Sequence, residues 1–181
     1  MFAGFTLQGA VIYSVFLVFI SIAPYVMVTG LGRPPTEYGT YYLLVAFGYF
    51  MGNWVVSRHG LRLGSHTLMN QGVVISSVST CVALALHFAG LIHPAWIFVP
   101  MGILAFGQGV ALPNVNASAV SLAPQNAGLA SSIVGFTQQI FGAVCVQWIG
   151  TYRVDTPLPM LTFCAVASIF ALVVLRVFMR R

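Results

Sequence analysis

Six long apolar stretches alternate along the chain with short polar connections, and each stretch is long enough to cross a bilayer as a helix. The pattern predicts spans over about 5–30, 38–56, 67–91, 95–118, 127–149 and 158–178. Amides distinguish these spans from plain anchors. Gln108, Asn114, Asn116, Gln138 and Gln139 fall at depths where lipid offers no hydrogen-bond partner, and uncharged polar groups there must face protein or a water-filled path. Together with small Gly, Ala and Ser positions and the mid-helix Pro113, they predict a solute route lined by close-packed helices.

Helical periodicity then sorts each span into faces. In the first, Ser14, Ser21 and Tyr25 share a side next to Pro24, either lining a cavity or bonding their own backbone one turn back. Thr36 is a candidate N-cap for the second span. There Tyr38, Tyr42, Tyr49 and Asn53 lie along one side, and Gly48 with Gly52 predicts a close helix-helix contact. Tyr41 suits an interfacial aromatic belt. The third span carries Ser76, Ser77, Ser79 and Thr80, with His87 near its end. In the fourth, Pro113 frees the carbonyl of Gly109. The fifth places Ala127, Ser131, Gly135, Gln138, Gly142 and Cys145 on one interfacial stripe, with Gln139 turned a quarter turn away, a better direction for a solute. The nearly aliphatic sixth span reads as lipid-facing.

Composition agrees with membrane residence: 59% of residues are hydrophobic and 5% charged, with a mean hydropathy of +0.96, a balance that no water-soluble surface accommodates. The net charge of +5 comes entirely from arginines at segment ends. Arg58, Arg62, Arg176, Arg180 and Arg181 fall on one side of a six-span topology, and Arg33 and Arg153 on the other. The positive-inside bias therefore predicts two cytoplasmic termini, and the charge is a topology signal rather than a nucleic-acid footprint. The first span lacks the basic leader of a cleavable signal peptide. Cys81, Cys145 and Cys164 have no metal-ligand spacing, and His59, His66, His87 and His93 are not set at i, i+4 on an inner face. No cofactor or metal is expected, and no nucleophile stands beside a base as catalysis requires.

The two halves also repeat. A shift of 89 positions (113 − 24 = 89) lays Pro24 on Pro113, Pro35 on Pro124, Gly39 on Gly128, Val45 on Val134 and Phe47 on Phe136 without a gap. Three spans followed by the same three in opposite orientation form an inverted repeat.

The segment Asn53-Trp-Val-Val-Ser-Arg-His-Gly-Leu-Arg-Leu-Gly resembles the cytoplasmic Gly-x-x-x-Asp-Arg-x-Gly-Arg-Arg loop of the major facilitator superfamily, with Arg58, Gly60 and Arg62 matching and Ser57 at the acidic position. The run Gly107-x-Gly-Val-Ala-Leu-Pro-Asn-Val-Asn-Ala, followed by Ala127-Gly-Leu-Ala-Ser-Ser-Ile-Val-Gly-Phe, is similar to the tenth and eleventh helices of bicyclomycin- and chloramphenicol-resistance-type drug/proton antiporters. The resemblance covers the whole chain as the carboxy-terminal six helices of a twelve-helix transporter in the bacterial inner membrane. It implies a half major facilitator fold, with Ser21, Tyr25, Gln108, Asn114, Asn116 and Gln139 as cavity candidates. It also implies that the second helix of each triplet, with the Gly48/Gly52 patch and the stripe through Gln138, meets the other half. The implied partners are lipid, a missing amino-terminal half, protons and a small lipophilic or cationic solute moved by alternating access. A metabolite importer, a non-transporting six-helix subunit or a truncated product are the other readings. Between Leu63 and Tyr152 there is no Asp, Glu, Lys or Arg, so a coupling carboxylate is expected in the missing half.

Overall fold

The computed structural model describes residues 1–152 and 155–178; Arg153, Arg180 and Arg181 of the charge pattern lie outside them. Six helices account for nearly all of it: α1 (Phe2–Tyr25), α2 (Pro35–Leu63), α3 (Ser65–Phe88), α4 (Ala95–Ser121), α5 (Ala127–Gly150) and α6 (Leu158–Phe178). Five are long and apolar enough to cross a membrane, whereas α2 has the length but falls short in hydropathy. Its tyrosines, glycines, Asn53 and basic end are responsible. The protein is an all-α membrane protein.

Proline and glycine chemistry sets the helix ends. Beyond Pro24 the chain widens into a π-turn over Val26–Gly30, closed by Leu31 N–H donating to the Val26 carbonyl at 2.9 Å. A proline lacks the N–H for the regular ladder, and such bulges are a common accommodation. α2 begins at Pro35, where a missing N–H costs nothing. Thr36 therefore lies inside the helix rather than capping it. The segment read as a basic loop is also helical: Arg58, Gly60 and Arg62 ride the last turns of α2, and reversal waits for Gly64 (φ 75°, ψ 145°). Gly64 alone joins α2 to α3, in a conformation that essentially only glycine adopts.

Contacts reveal how the triplets combine. α1 and α4 cross antiparallel, Ile12 meeting Gln108 and Phe19 meeting Phe98, so the triplets run in opposite senses. Each second helix packs on the first helix of the other triplet: α2 lies parallel to α4 through Gly48 against the Gly102 carbonyl and Gly52 against the Phe106 carbonyl. α5 lies parallel to α1, with Gly9 against Gln138 and Gly142 against Leu17. The third helices follow the same rule. Ser76 Oγ donates to the Leu104 carbonyl from α3 to α4 at 3.3 Å, and Cys164 Sγ donates to the Val15 carbonyl from α6 to α1 at 3.7 Å.

The residues matched in the sequence repeat behave alike. Val45 and Val134 are both buried, Phe47 and Phe136 are both more than 60% exposed, and Gly39 and Gly128 both face open space. The apolar core runs through α1, α4 and α6 around Phe19, Phe98, Met101, Leu104 and Leu161, with a second cluster around Val11, Met69 and Val115. α6 departs from the lipid-facing expectation on one side: Met160, Leu161, Cys164, Ser168 and Ala171 are buried. An aliphatic sequence reads the same against lipid or against a helix.

Candidate functional site: the amide face of α1, α4 and α5

The amides expected to line one route divide between two environments. Gln108 is 1% exposed, and its Nε2 donates to the Ile12 carbonyl of α1 at 2.8 Å. It is thus a tie between the crossing helices and lines no open solute route. Asn114 is also buried and donates to the Val110 carbonyl one turn back at 2.8 Å. Low dielectric favours these arrangements, since an amide without a partner there costs more than a satisfied one gains.

Asn116 and Gln138 come together. Gln138 Nε2 donates to Asn116 Oδ1 at 2.7 Å, linking α5 to α4 beside the bare backbone of α1. A methyl at Gly9 would stand 2.7 Å from Gln138 Nε2 and 3.2 Å from Asn116 Oδ1, so only glycine leaves room for the pair. On the same seam, Tyr13 donates from its hydroxyl to Gln139 Oε1 at 3.2 Å in an exposed setting. Gln139 is exposed while Tyr13 and Asn116 are half-buried. Tyr13, Asn116 and Gln139 form an uncharged hydrogen-bonding face, with donors, acceptors and a phenol ring, that the rest of the chain leaves partly uncovered, and the buried Gln138 ties it together from behind.

Ser21 is half-buried and Tyr25 is exposed on the same helix but further along, beside the π-turn. Ser14 turns inward and bonds the Val11 carbonyl of its own helix at 2.8 Å. Sequence reading missed Tyr13 because it has no polar partner one turn away on α1. Its signal was the spacing Gly9, Tyr13, Leu17, which places it beside the small positions of α5.

The interface assignments also shift. Gly48 and Gly52 meet α4 of this chain, not a separate half, because no side chain stands between the α2 and α4 backbones. Ser131 is exposed and bonds the Gly128 carbonyl, and Gly135 has no neighbour within 4 Å. The buried stripe of α5 instead runs through Ala130, Val134, Gln138, Gly142, Cys145 and Ile149. It coincides with the predicted stripe in its second half only. Tyr41, half-buried, packs on Phe98 at 5.4 Å between ring centres. His87 lies in the last turn of α3, away from the amide face. Arg58 stacks over Trp54 at 5.5 Å.

Fold and face together define a helical membrane protein built of two interlocked inverted triplets, with a neutral hydrogen-bonding surface at the seam of α1, α4 and α5. No known family model matches the chain. It is 25% identical over 175 residues to the bicyclomycin resistance protein homolog of Haemophilus influenzae, a similarity covering 93% of this chain and 43% of that protein. The chain thus spans less than half the length of that relative.

Proposed function

We propose that the chain is the carboxy-terminal half of a major facilitator drug exporter, moving a small lipophilic or cationic solute by alternating access. The observation that carries this reading is the similarity along 93% of the chain to a protein named for bicyclomycin resistance. The interlocked inverted triplets support it, since such repeats build transporter halves that rock about a midplane site. In this reading the face of Tyr13, Asn116 and Gln139, held from behind by the buried Gln138, lines one wall of the pathway, with Ser21 and Tyr25 toward one end. Amides and aromatic rings there suit weakly polar solutes and cations held over a ring.

The opposite wall, and the carboxylate that couples transport to protons, belong to a six-helix amino-terminal half. The uncharged stretch from Gly64 to Thr151 favours that division of labour. In this reading the chain lies in a bacterial inner membrane with both its ends toward the cytoplasm, a placement that the arginine bias favours. Everted membrane vesicles test the proposal: the chain joined to the six-helix segment encoded upstream should take up a cationic dye when a proton gradient is applied, and the chain alone should not. Gradient-driven uptake by the chain alone, or none by the joined protein when both are present at equal amounts in the membrane, would overturn it.

A further inference from the structure

The centre of the helix packing holds a polar site that the amide face does not explain. Where α1, α3, α4 and α6 meet, a cavity of about 10 Å³ is lined by Ile12, Val15, Val73, Ser76, Gln108 and Ser168. Ser168 is 3% exposed, and its hydroxyl has no hydrogen-bond partner in the protein. Its neighbours have capacity to spare. Gln108 commits Nε2 to the Ile12 carbonyl, which leaves Oε1 as an acceptor. Ser76 commits its proton to the Leu104 carbonyl, which leaves oxygen lone pairs.

We propose that this cavity is a binding site for one ordered water, which accepts from Ser168 and donates to Gln108 and Ser76. The volume is enough for about one water molecule, and buried waters typically make about three such bonds to polar groups that lack partners. An ion is disfavoured by the chemistry of the walls, because every lining side chain is neutral. A cation would need more oxygen ligands than two hydroxyls and one amide supply. The orphaned hydroxyl requires a partner for the reason that governs all buried polar groups: unpaired, it carries its full desolvation penalty.

The bound water links α6 to α4 and α3, completing with solvent a contact that side chains alone leave unfinished. The same region holds a second unpaired polar atom, the acceptor Gln8 Oε1; Gln8 donates through Nε2 to the carbonyl of Ala171, another residue of the cavity wall.

A high-resolution map of the purified protein, alone or as part of its longer chain, tests the assignment directly. The expected result is a density peak within hydrogen-bonding distance of Ser168 Oγ that disappears in Ser168→Ala. Absence of the peak in the wild type, or a Ser168 hydroxyl turned onto the carbonyl of Cys164 in its own helix, would overturn it. Thermal unfolding gives an independent reading of opposite sign for the two cases. With water bound, Ser168→Ala lowers the melting temperature by removing a satisfied hydrogen bond; in a dry cavity it raises the melting temperature by removing an unsatisfied one.

Discussion

Gln108 shows how a single amide fixes the relation of two helices. Its hydrogen bond to the Ile12 carbonyl joins the first helices of the two triplets, and its burial keeps bulk solvent from competing for that bond. Gln108→Leu should therefore lower stability by roughly 0.6–1.7 kcal/mol, from the average to the maximum measured for interhelical hydrogen bonds in a membrane protein, while membrane insertion is undiminished because an amide has been removed from a span. Thermal unfolding in detergent and the amount in the membrane fraction are the measurements; unchanged or raised stability would contradict the tie. The sequence identified which amides are too deep for lipid, since that follows from depth alone. Their division was not legible there: whether an amide meets a backbone carbonyl, as Gln108 does, or a second amide, as Gln138 does, depends on what the opposite helix presents at that height.

Among the helices, small residues are informative only where another backbone approaches. Gly52 and Gly135 look equivalent in sequence, each one turn from another small residue, yet Gly52 abuts the Phe106 carbonyl and Gly135 meets nothing within 4 Å. Gly52→Val should cost about 1–3 kcal/mol by overpacking the α2–α4 contact. Gly135→Ala should stabilise the helix by roughly 0.5–1 kcal/mol through reduced backbone entropy in the unfolded chain. Parallel thermal melts of the two variants decide the matter, and equal losses would mean that α5 has a close neighbour there. Existence and order of the helices were readable because apolar stretches of bilayer length admit few alternatives. Their ends were less so: α2 runs past Arg58 to Leu63, since charged residues end a hydropathy signal without ending a helix.

Across the whole molecule, the repeat seen as a handful of matched residues proves to be a rule of assembly. Each triplet lends its second helix to the other, and the matched valines and phenylalanines share their burial. The rule was only partly legible beforehand, because the prolines and glycine in step announce a duplication but not which helix packs on which. Its weakest joint is Gly64. Gly64→Ala forces a side chain into a backbone conformation nearly reserved for glycine and should cost about 1–3 kcal/mol, measured as a lowered unfolding midpoint; a melting curve like that of the wild type would show that the α2–α3 corner can be formed another way.

That corner has a mechanical consequence. One intervening residue keeps neighbouring Cα atoms about 3.8 Å apart along the chain, so any displacement of the lower end of α2 is handed on at once to α3. The first triplet is bracketed at its elbow, so its second and third helices act there as a single lever.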